Sequence, residues 1–133
     1  MTERLANEMA ILKTVFPDAE FHDKDSGWIR IPRYTVQHGG WKQAEISVCF
    51  QVPGGYPGDA PYAFWVTPLL RLGGTDVGPS NNYQEPSPTP FPGTWGRFSW
   101  SHESSWRPGV DPATGSNFLN FALSFRDRFR EGV

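Results

Sequence analysis

Four prolines at alternate positions, Pro86, Pro88, Pro90 and Pro92, forbid helix and favour extended chain through that stretch. They are the densest part of a chain of 133 residues with 14 Gly and 13 Pro, a content that predicts long ordered loops. No period is visible from Gly73 to Trp106. Trp95, Phe98, Trp100 and Trp106 in that span carry large rings that belong out of water, so the loop is expected to pack back on the rest of the fold.

Helix is predicted at the two ends. Leu5, Met9, Leu12 and Phe16 recur at spacings of three and four, with Thr2 as a cap and Pro17 as the stop. Glu3, Arg4, Asn7 and Lys13 lie on the opposite face, which favours solvent or a partner. The second helix is expected from about Ser116, its N-cap, to Glu131, with Phe118, Phe121, Ala122, Phe125 and Phe129 as its apolar face. Asn117, Asn120, Ser124, Arg126 and Arg130 fall off that stripe, Arg128 and Arg130 suit the C-terminal dipole, and Gly132 ends the helix.

Strands are expected between the helices. Ala44 to Val52 alternates Ile46, Val48, Phe50 and Val52 with Glu45, Ser47, Cys49 and Gln51. Trp28 to Val36 reads as a strand whose Pro32 demands an edge position or a bulge. His22 to Gly27 reads as a polar connection and His38-Gly39-Gly40 as a turn. Tyr62 to Thr67 is a third strand, and Leu69 to Leu72 a short fourth. The expected architecture is a single α+β domain over residues 1–133: N-terminal helix, antiparallel meander of three or four strands, long Pro- and aromatic-rich loop, C-terminal helix.

Charge and composition exclude some functions. A net charge of −2 lacks the basic stripe that phosphate backbones require, so nucleic acid is not expected as a partner. No apolar run approaches the roughly 20 residues of a membrane span, and no signal-peptide core opens the chain. One cysteine, Cys49, makes no internal disulfide, and a cytoplasmic location is expected. His22 and His38 lack metal-ligand spacing, so neither a metal nor a cofactor is expected.

The run Val48 to Tyr62 resembles the signature of ubiquitin-conjugating-like (UBC-fold) proteins: an alternating strand, then Pro53, Tyr56, Pro57 and Pro61 at the family's spacing. Trp106-Arg107-Pro108 resembles the Trp-x-Pro that precedes the family's central helix. The order of elements agrees over most of the chain. Three departures stand out. The family's active cysteine is expected about eight residues before that Trp, which points to Phe98, and the loop has no cysteine. No His-Pro-Asn appears upstream, although Asn81 and Asn82 lie nearby. The family's extra C-terminal helices are missing. The segment Trp95 to His102, followed by Trp106 to Asp111, is similar to a divergent bacterial branch with a histidine in this loop and no cysteine.

The resemblance implies a non-catalytic component of a bacterial ubiquitin-like protein modification pathway. Its partners would be a ubiquitin-like protein, an activating enzyme or a catalytic UBC relative. The family's first helix commonly meets the activating enzyme, which implicates Arg4 and Lys13. Cys49, in mid-strand, reads as a structural residue. The best candidate for chemistry is His102, beside Ser99, Ser101, Glu103 and Ser104, as a base in place of the thiolate. The alternatives are a conjugating-type enzyme built on His102 with Ser99 or Ser101, and a stand-alone UBC-related interaction domain.

Overall fold

The computed structural model describes residues 2–36, 40–101 and 105–132. His38, His102, Glu103 and Ser104 lie outside the described residues. The order is α1 (Glu3–Lys13), β1 (Glu20–His22), β2 (Trp28–Thr35), β3 (Glu45–Gln51), β4 (Tyr62–Thr67), β5 (Tyr83–Gln84), β6 (Gly96–Ser101) and α2 (Phe118–Glu131). The strands form one antiparallel sheet in the order β1-β2-β3-β4-β6-β5. This is the expected α+β class with six strands instead of three or four.

The differences have local causes. β1 runs through Glu20, Phe21 and His22, too short for a period to show, and His22 is in this strand rather than in a connection. Leu69 to Leu72 is not a strand; Leu72 makes only an isolated bridge to Trp41. The 73–106 span contributes β5 and β6, because its prolines leave Tyr83–Gln84 and Gly96–Ser101 free to pair. A Cβ at Gly96 would run into the Tyr83 hydroxyl, so glycine lets that ring cross β6.

Pro32 sits where the β2–β3 register shifts between Ile31 and Tyr34. The extra residue turns Tyr34 rather than Arg33 inward. Tyr34 is fully buried, and its hydroxyl donates to the Ala122 carbonyl at 2.5 Å.

Both helices pack on one face of the sheet, the inner face. Ile29, Ile31, Ile46, Val48, Phe50, Phe64, Val66 and Phe98 meet Met9 and Leu12 of α1 and the Phe stripe of α2. Phe64 stacks on Phe125 with ring centres 3.9 Å apart, and Phe50 meets Phe118, Phe121 and Phe125 edge-on. Each such ring stabilises the fold by about 1.5–3 kcal/mol through burial alone. Thr2 caps α1 by accepting from the Leu5 N–H. The cap of α2 is Asn117, which accepts from Asn120, not Ser116, whose hydroxyl instead accepts from the Arg107 N–H. Ser124 and Arg128, off the predicted stripe, are buried: Arg128 lies over the Phe98 ring and donates to the Gly132 and Asn81 carbonyls.

The outer face carries a second cluster of Trp28, Cys49, Ala63, Trp65, Phe91 and Trp95. The proline-rich segment 85–95 crosses this face as a strap. The Trp65 indole donates to Ser87 Oγ at 3.0 Å, and Ser87 N–H donates to the Trp95 carbonyl at 2.8 Å. The long loop therefore packs back on the sheet on both sides: its strap carries Trp95 to the face away from the helices, whereas Phe98, Trp100 and Trp106 join the inner cluster.

Candidate functional site

The signature residues converge on a buried carboxylate. Glu8 is the i+3 residue of the stripe that runs Leu5, Met9, Leu12, so the helix turns it inward. Its side chain is 0% exposed. Oε1 accepts from the Tyr56 hydroxyl at 2.6 Å and from the Phe118 N–H, the first of α2, at 2.8 Å. Oε2 accepts from Arg4 Nε at 3.0 Å. A carboxylate at a helix N-terminus meets both an orphan N–H and the positive end of the dipole. Burial pushes the Tyr56 phenol well above its ordinary range, helped by its hydrogen bond to Glu8 and by that carboxylate's charge, so the ring stays a neutral donor.

The same knot holds the segment that leads into α2. The Tyr56 ring stacks on Phe118 at 4.5 Å and tilts against Trp106 at 5.9 Å. Trp106 Nε1 donates to the Pro57 carbonyl at 2.8 Å, and Arg4 Nη1 donates to the Gly109 carbonyl at 2.6 Å. Pro61 is buried at the start of β4, Pro53 is half-buried, and Pro108 is exposed in a bridge to Gly115. Thus Pro53, Tyr56, Pro57, Pro61, Trp106 and Pro108 all lie on or beside one junction of α1, the 53–61 loop and the start of α2.

Beside the junction is a cleft of about 320 Å³ lined by Gly58, Asp59, Ala60, Tyr62, Ser101 and Trp106. Ser101 is exposed and immediately precedes His102. Ser99 lies in the sheet: its N–H donates to the Asn82 carbonyl and its Oγ accepts from Arg97 Nη1 at 3.1 Å. Asn81 and Asn82 act through backbone carbonyls, toward Arg128 and Ser99. Phe98, where the resemblance points for a nucleophile, is fully buried against Phe64, Tyr83 and Phe129.

The sequence contains one cysteine. Cys49 is fully buried in the outer cluster. Burial pushes its thiol far above the ordinary value, and Arg30 offsets this only in part. A nucleophilic thiolate needs access and a lowered pKa; Cys49 has neither. Arg4 and Lys13 part company: Lys13 is exposed at the end of α1, whereas Arg4 is turned to Glu8 and Gly109.

Glu8, Asp59, Tyr62 and Arg97 were missed by sequence reasoning. For Glu8 the signal was present, as an acid inside an apolar stripe and four residues after an arginine. For the others no local pattern exists. Among the described residues, no helix is long and apolar enough to cross a membrane.

An antiparallel sheet flanked by N- and C-terminal helices, with the Tyr-Pro loop knotted to the Trp-x-Pro segment, defines a UBC-like α+β protein. Residues 12–119 match the family described as Prokaryotic E2 family E, and the chain belongs to that family. No curated protein and no solved structure matches it.

Proposed function

We infer that this chain is a non-catalytic UBC-like component of a bacterial ubiquitin-like modification pathway, working as one domain over 1–133. It would hold a ubiquitin-like protein, an activating enzyme or a catalytic relative without carrying the modifier on sulfur. The observation that carries this reading is the burial of Cys49, the sequence's one thiol, within the strap's cluster. The intact junction around Tyr56 and Trp106 supports a kept scaffold. Titration against ubiquitin-like proteins and activating enzymes from the same source tests it. Saturable binding with no adduct after incubation with activating enzyme and ATP is expected; absence of binding to all of them overturns it.

A second reading rests on Ser101, which opens onto the cleft with Asp59 and Tyr62 just before His102. In it the Ser101 oxygen attacks the activating enzyme's thioester carbonyl. His102 takes the hydroxyl proton, the C–O bond forms, the C–S bond breaks, and the departing thiolate is reprotonated. A covalent adduct lost in His102→Ala and in Ser101→Ala supports this reading, and an adduct unchanged by both removes it.

A further inference from the structure

The strap leaves one part of the outer face open. Tyr62 is 52% exposed at the start of β4. It pairs with Ser101 of β6, and paired residues share a face. Ala63, between Tyr62 and Phe64, has φ of +69° where the β4–β6 register shifts, which turns Tyr62 away from the inward ring of Phe64. Half-buried Arg97 places its guanidinium carbon 5.5 Å from the Tyr62 ring centre and 5.5 Å from that of Trp65. Its Nη1 donates to Ser99 Oγ.

Among the described residues, no carboxylate pairs with Arg97. Arg4, Arg30, Arg33, Arg71 and Arg130 each have one. A guanidinium in contact with two rings has less freedom left to lose, and it presents forked donors that match a carboxylate. Tyr62 also lines two clefts. One, of about 270 Å³, is walled by Val52, Pro53 and Ala60 with Gln51 and Ser26, and suits an apolar side chain. The other contains Asp59, which repels a second acid there. A lone arginine at this spot, on a chain of net charge −2, is not a phosphate-backbone surface.

We propose that Tyr62, Arg97 and the two flanking clefts form a docking surface for a short acidic peptide segment of a partner protein. One carboxylate lies over Arg97 and an apolar side chain fills the cleft beside Val52 and Pro53. The proposal rests on the reading of the chain as a binding component and deepens it. Its test uses no pathway protein, so the two fail separately.

A random peptide library displayed on phage is selected against the full chain. The strongest peptides are then synthesised and titrated by fluorescence anisotropy. Selected peptides are expected to carry Asp or Glu. Replacing that acid by its amide, or Arg97→Gln in the protein, weakens binding about tenfold. The two changes together cost no more than either alone, as a coupled pair requires. Tyr62→Ser weakens the same peptides. Unfolding midpoints confirm that each variant is folded. If Arg97→Gln does not fold, Tyr62→Ser and amide shift mapping decide, with shifts expected at 51–54, 58–62 and 97–101. No selected peptide, peptides without an acid, affinities indifferent to these changes, or shifts elsewhere overturn the proposal.

Discussion

The two faces of the sheet are covered in different ways. On the inner face two helices from opposite ends of the chain bury a continuous set of rings, with Tyr34, Phe50, Phe64 and Phe125 each touching several others. On the outer face a single extended strap is held by Ser87, Phe91 and Trp95, and β4 emerges beyond it at Tyr62. Helices satisfy their own backbone hydrogen bonds and bring a broad apolar stripe. A proline-rich strap has few backbone donors and must be pinned by side chains. The inner face therefore carries the cooperative stability, whereas the outer face divides between sealing the thiol and leaving a surface for contact.

Removing an inner ring should cost most. Phe125→Ala deletes the stack on Phe64 and is expected to lower stability by about 3–5 kcal/mol in urea unfolding. Next comes the junction: Glu8→Ala strands the Tyr56 hydroxyl and the Phe118 N–H in the interior, with an expected loss of about 3 kcal/mol. Glu8→Gln, which keeps an acceptor, recovers part of it. Phe91→Ala loosens the strap and is expected to cost about 2 kcal/mol, less than the inner ring because the segment opens locally. Cys49 should then react with a disulfide reagent under conditions where the parent is inert. An equal cost for Phe91→Ala and Phe125→Ala, with no gain in thiol reactivity, breaks the distinction between the faces.

The pH dependence sharpens it further. Below about pH 7.5 the Cys49 thiol is protonated in both states. As pH rises, the unfolded chain loses that proton while the folded chain keeps it, since burial holds the folded pKa up. The unfolded state then binds fewer protons, so stability falls by up to about 1.4 kcal/mol per pH unit from this group. Cys49→Ala should flatten the curve between pH about 9 and 10; an unchanged slope rejects the assignment. The smallest effect is expected from Ser87→Ala, about 1 kcal/mol, for the bond accepted from the Trp65 indole, read from the same unfolding curves.

The site was less legible than the fold. Pro53, Tyr56, Pro57, Pro61, Trp106 and Pro108 stood out as a fold signature, because turns leave local marks, but only the structure brings them to one junction. Glu8, the centre of that junction, is marked locally only by its place inside the apolar stripe, four residues after Arg4; its partner Phe118 lies 110 residues away. Arg4 read as a charge for solvent or a partner, since nothing local places the Gly109 carbonyl beside it. Arg97 and Tyr62 become neighbours only through the pairing of β4 with β6.

Periodicity and proline placement by themselves determined the two helices, the strands β2, β3 and β4, and an irregularity at Pro32, an edge position or a bulge; residue identity alone showed that the loop before α2 has no cysteine. These are properties of neighbouring residues, and the chain obeys them wherever it is placed. Tertiary structure alone decided that the proline-rich segment would cross the outer face, that β6 would lie between β4 and β5, and that Cys49 would be sealed. Those outcomes depend on strands and rings far apart in sequence finding one another. The free energy of such contacts comes from the surface they remove from water together, which no stretch of chain carries alone.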